Sequence, residues 1–81
     1  MSSLQVRHVL HSGYHIEASA VLIAEKWYPL FRILAPNLIQ IHRWQVPAVD
    51  GLDDAYVARK VAVSLGREVI DQNPLGYWQP Q

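Results

Sequence analysis

Hydrophobic and polar positions follow two different periods along the chain. From Trp27 to Leu34, Trp27, Pro29, Phe31 and Ile33 fall on one parity and Tyr28, Leu30, Arg32 and Leu34 on the other. A period of two in residues this rich in aromatic and branched side chains predicts a strand. Leu38 to Val46 behaves likewise, with Ile39, Ile41 and Arg43 set against Leu38, Gln40, His42, Trp44 and Val46. Ala35-Pro36-Asn37 between them is a compact turn signal, so two antiparallel strands are expected.

The segment before them supports two readings. Tyr14, Ile16, Ala18, Ala20 and Leu22 alternate with His15, Glu17, Ser19 and Val21 as a strand would, yet Ile16, Ala20, Ile23 and Trp27 also lie at helical spacings. Residues further upstream favour the strand. Leu4, Val6, His8 and Leu10 alternate too, and Ser12-Gly13 supplies a turn in which Gly tolerates positive φ. A two-residue loop there would set His8 opposite Glu17.

Beyond residue 52 the period changes. Asp53 to Gln72 is free of proline, and Ala55, Ala58, Ala62, Leu65 and Val69 recur at spacings of three and four, a stripe that Val61 and Gly66 widen. Arg59, Lys60, Ser64, Arg67 and Asp71 lie on the other side. Asp53 is the expected N-cap, since its carboxylate can accept from free N–H groups of the first turn, and Asn73-Pro74 ends the helix. The expected core is Ile16, Ala18, Trp27, Phe31, Ile33, Ile41, Ala58, Val61, Ala62, Leu65 and Val69.

The pattern Tyr14-x-Ile16-x-Ala18-Ser19-Ala20, then Trp27-x-Pro29 and Ile33, then Gly66-Arg67-x-x-Ile70-Asp71 resembles a family of small uncharacterised proteobacterial proteins. The resemblance implies a three-stranded antiparallel sheet followed by one C-terminal helix, with 14–22 as a strand. It implies no activity and no site residues. Where the family shows a glycine-containing turn, this chain has Ala24-Glu25-Lys26. The expected organisation is a single α+β domain: an extension or extra edge strand over 1–13, the sheet over 14–46, the helix over 53–72 and a tail over 73–81.

Composition narrows what such a domain can do. The chain has 81 residues, seven acids against seven bases, 51% hydrophobic residues and no cysteine. Charged residues make up 17%, against about 25% in an average domain. Without cysteine there is no disulfide framework and no thiolate zinc site, which suits a reducing compartment. The apolar run Ala18 to Ala24 is too short to cross a bilayer, which takes roughly 20 residues. The N-terminal residues show no signal-peptide pattern, and a cytoplasmic protein is the expectation.

Candidate chemistry is sparse. Four histidines, at 8, 11, 15 and 42, invite a metal site, but an extended strand points His8 and His11 to opposite faces. The serines are Ser2, Ser3, Ser12, Ser19 and Ser64, with no threonine and no nucleophile elbow. Neither an enzyme nor a cofactor or metal is therefore expected. One helix covers one side of a sheet, which leaves the other parity exposed. Tyr28, Leu30, Arg32, Leu34, His42 and Trp44 are expected there as an interface, joined by the tail aromatics Tyr77 and Trp78. A homo-oligomer or an unknown protein partner is the leading expectation. The alternative is nucleic-acid binding, in which sheet aromatics stack bases beside Arg32, although a net charge of zero and no basic cluster speak against it.

Overall fold

The structure is a computed structural model that describes residues 6–72. Its elements are β1 (Arg7–His11), β2 (Tyr14–Ile23), β3 (Lys26–Leu34), β4 (Gln40–Gln45) and α1 (Ala55–Asp71). The four strands form one antiparallel sheet in the order β1-β2-β3-β4, with α1 packed on one face. The fold is α+β, and the segment before residue 14 supplies an edge strand. The tail aromatics Tyr77 and Trp78 lie outside the described residues.

Both tight hairpins use two-residue turns with positive φ at each central residue, the hand that matches strand twist. In the first, Ser12 and Gly13 have φ of 51° and 83°, and the register sets His8 opposite Glu17 as the alternation implies. In the second, Ala24 and Glu25 adopt φ of 50° and 67° although both carry a Cβ. Nine cross-strand pairs, from Ile23 with Lys26 to His15 with Leu34, hold that turn in place. Left-handed backbone at a residue other than glycine costs about 1 kcal/mol, so changing Ala24-Glu25 to Asn-Gly is expected to stabilise the fold by about that amount. Urea unfolding measures it, and a loss of stability would show that the pair makes contacts of its own.

β4 is shorter than the alternation suggests. Leu38 and Ile39 belong to the connection, in which Leu38 has a φ of 71° and the Ile39 N–H donates to Asn37 Oδ1. After β4 the chain continues along the same edge of β3 toward its start. Trp27 N–H donates to the Leu52 carbonyl at 2.7 Å and Leu52 N–H donates back at 2.8 Å. Gly51 is pressed so close that a Cβ on it would sit 2.6 Å from Lys26 Cβ and 2.9 Å from Tyr28 Cζ. This contact delivers the start of α1 to the end of the sheet that holds the β2–β3 turn.

The cap falls one residue later than Asp53. Asp54 is the N-cap, its Oδ1 accepting from Tyr56 N–H at 2.9 Å. Asp53 instead accepts from Lys26 Nζ at 2.5 Å. That bond, with the charge behind it, holds the Asp53 carboxyl below its ordinary value and Lys26 above its own. Any stability from the lowered carboxyl is present above its ordinary pKa and fades as pH falls through the lowered value. Both groups are solvated, so the pair serves mainly to direct the loop.

The core joins Ile16, Ala18, Phe31, Ile33 and Ile41 of the sheet to Ala62, Val63 and Ile70 of the helix, with Leu65 and Val69 packed at its margin. Two expected members are displaced. Trp27 is only half-buried at the sheet end, and Val61 is half-buried while Val63 and Ile70 are buried in its stead. The helix has rolled so that its smallest residues, Ala58, Ala62 and Gly66, meet the sheet. Gly66 sets the approach, since a Cβ there would lie 2.8 Å from Ile16 Cγ2.

The open face of the sheet as candidate functional site

Cross-strand partners share a face, so the registers assign the side that α1 leaves open. His8, Glu17 and Arg32 form one row, Leu10, His15 and Leu34 another, Ser19 and Leu30 a third, and Val21 and Tyr28 a fourth. No element among the described residues packs over these rows. Leu10 is 63% exposed at the edge, whereas Val21, Tyr28 and Leu30 are half-buried.

A polar cluster sits in the middle of this apolar surface. Arg32 Nε donates to Glu17 Oε1 at 2.5 Å, and its Nη1 donates to Gln40 Oε1 at 3.3 Å. The same guanidinium lies 5.2 Å from the centroid of the Trp44 ring. Trp44 itself is 38% exposed. The Arg32 charge is therefore already neutralised by a carboxylate and spread over an aromatic face.

The expected interface residues divide on inspection. Leu30, Arg32 and Trp44 lie together on the open face. Tyr28 is there as well, but Gly51 lies against its ring, so the loop covers part of it. Leu34 shares the parity, yet at 8% exposed it is buried and presents little to a partner. His42 is on the other face, its ring stacked on Phe31 with centroids 5.0 Å apart. Two register irregularities between Phe31 and Leu34 cause the change: Ile33 pairs with His42 and Phe31 with Gln45, so simple alternation fails along β4.

Two of the four histidines meet, and the other two lie apart. His8 and His15 stack at 5.0 Å with Nε2 of one 2.8 Å from Nδ1 of the other, so one imidazole donates and the other accepts. His11, on the opposite face from His8, bonds Asp71 at the helix end at 2.9 Å. Among the described residues no three His, Asp or Glu side chains come together as a metal site would require. The face also holds His8, Leu10 and His15, which the pattern alone does not place there because it leaves the edge strand optional. The hairpin register that places His8 opposite Glu17 was the signal that could have included them.

No family model matches the chain, and no curated protein or solved structure matches it. No helix among the described residues is long and apolar enough to cross a membrane.

Proposed function

We propose that this is a non-enzymatic interaction domain that pairs with a second copy of itself through the open sheet face. The observation that carries the reading is that Leu10, Val21, Leu30 and Trp44 all lie on the side of the sheet that α1 does not cover. Such a surface is too apolar to be left to water. An isologous pair would lay each copy's patch on its twin. Four strands spaced at about 4.8 Å, with nine-residue β3 rising about 3.3 Å per residue, offer roughly 500 Å² per copy. Two copies together reach the roughly 1,000 Å² that a specific interface needs. The Glu17–Arg32 pair, being internally neutral, can enter such an interface without leaving an uncompensated charge.

The face recommends itself less to nucleic acid. Trp44 could stack a base, but both cations of β3, Lys26 and Arg32, already hold carboxylates, those of Asp53 and Glu17. A phosphate would have to displace them. A chain without cysteine depends on no oxidising compartment, and we place it in the cytoplasm.

Sedimentation velocity tests the proposal. The wild type is expected to sediment as a dimer at tens of micromolar, in keeping with a small interface, and Leu30→Lys as a folded monomer, because an unpaired ammonium in an apolar contact weakens association at least about a hundredfold. A wild type that stays monomeric at high micromolar concentration would overturn it. Oligonucleotide binding that weakens with salt and with Arg32→Ala would favour the other reading.

A further inference from the structure

On the side of the molecule away from the open sheet face, α1 and the edge strand β1 leave a groove with a cavity volume of about 180 Å³. Its walls are Arg7 from β1 and Tyr56, Lys60 and Arg67 from α1, over a floor of Val63. Positions 56, 60, 63 and 67 fall on one line along the helix at spacings of four, three and four. Arg7 belongs to this side because it pairs with Ala18, a core residue.

The charges here are distributed unlike those of an ordinary solvated helix face. The chain has seven acids and seven bases, yet three bases converge on this groove and no acid lines it. Among the described residues no carboxylate pairs with Arg7, Lys60 or Arg67, while Glu17, Asp53 and Asp71 are engaged elsewhere. The ring of Tyr56 carries Lys60 Nζ at 5.4 Å and Arg59 Cζ at 6.0 Å from its centroid. The ring thus sits within gathered positive charge. Arg7 of the edge strand thus stands across the groove from the cationic stripe of the helix, with no carboxylate between them to balance the charge.

We propose that this groove binds a phosphate-bearing anion, a pyrophosphate or phosphate monoester group, held by Arg7, Lys60 and Arg67 with the Tyr56 hydroxyl as a further donor. Arginine offers the forked donors that match phosphate oxygens, and lysine adds a compact charge. A cavity of about 180 Å³ is smaller than the roughly 300 Å³ at which small-molecule pockets begin. The groove therefore takes the charged head group, and the rest of the ligand stays outside. The site does not depend on self-association, since it lies on the opposite side from Leu30.

The experiment uses the full 81-residue chain, with inorganic pyrophosphate as the probe and sodium chloride at matched ionic strength as the control. Pyrophosphate is expected to raise the thermal midpoint beyond the salt control, and calorimetric titration to give a saturable isotherm. Lys60→Gln and Arg67→Gln should each weaken affinity about tenfold, the equivalent of one charge-assisted hydrogen bond. Each should also leave the ligand-free midpoint at low salt unchanged or raised, because repulsion is relieved, which a structural role for these cations would not produce. Arg43→Gln, on β4, should bind as the wild type does. A midpoint that rises no more in pyrophosphate than in matched salt, or a rise that survives both variants, overturns the proposal. So does a single-stranded oligonucleotide that binds through Lys60 and Arg67 while pyrophosphate does not, since the groove would then read a polymer backbone.

Discussion

Replacing Ile16 by alanine is expected to lower stability by about 4 kcal/mol, toward the upper end for a buried isoleucine. Ile16 is 0% exposed and sits where β2, β3 and the helix meet, paired across the sheet with Val9 on one side and Ile33 on the other. Paired strands on both sides, and a helix seated on the sheet also through Ala62, Val63 and Ile70, limit how far the cavity left beside Gly66 can collapse. For a domain of this size such a loss corresponds to a fall of more than about 10 °C in the melting midpoint. With total stabilities of about 5–15 kcal/mol, a substantial fraction of the variant would be unfolded at physiological temperature if the wild type lies at the low end. Guanidinium unfolding followed by circular dichroism checks the value. A loss under about 1 kcal/mol would mean that the helix does not seat on Ile16.

The second large effect is at Gly66. In an exposed helix interior glycine to alanine gains about 1 kcal/mol, but here the added Cβ would lie 2.8 Å from Ile16 Cγ2 and 3.2 Å from Cδ1. A buried β-branched side chain paired on both sides has little room to turn away. The helix must then lift from the sheet, and a net destabilisation of about 2 kcal/mol is expected for Gly66→Ala. The two sites are in contact, so their effects are coupled. Combining Gly66→Ala with Ile16→Ala should cost less than the separate losses added together, because the new methyl enters the space that isoleucine vacates. Additivity in that double-mutant cycle, or a stabilised Gly66→Ala, would refute the close approach.

The strands and the helix were legible because their periods differ. Two side-chain parities run through Trp27 to Leu34 and change to spacings of three and four after Asp53. The Ser12-Gly13 turn and the His8–Glu17 register followed from one glycine at the right distance. The Ala24-Glu25 turn was not legible, since neither residue advertises positive φ, and only the long β2–β3 pairing forces them into it.

At the open face the sequence alternation placed Leu30, Arg32 and Trp44 correctly relative to one another and failed at His42. Alternation assumes an unbroken ladder, and the irregular pairing of β4 breaks it. The basic groove was invisible for a related reason. Arg59, Lys60 and Arg67 read as one solvated helix face, and nothing in the local pattern indicates that Arg7, more than 50 residues earlier, shares a groove with Lys60 and Arg67.

By itself, then, the sequence determined the strand over Trp27–Leu34 and the helix after Asp53, because apolar periodicity is a local property enforced by each element's need to bury one side, whereas the spacings of 14–23 suit both periods and the upstream alternation had to decide for a strand. It also determined that one sheet face would lack a helix, since only one amphipathic stripe is present for a sheet with apolar residues on both parities. Tertiary structure alone decided how the helix rolls on the sheet, which of Asp53 and Asp54 caps it, and which charges are paired. Those outcomes depend on the closest approach at Gly66 and on the course of residues 46–54 along β3, distances set by packing between segments remote in the chain.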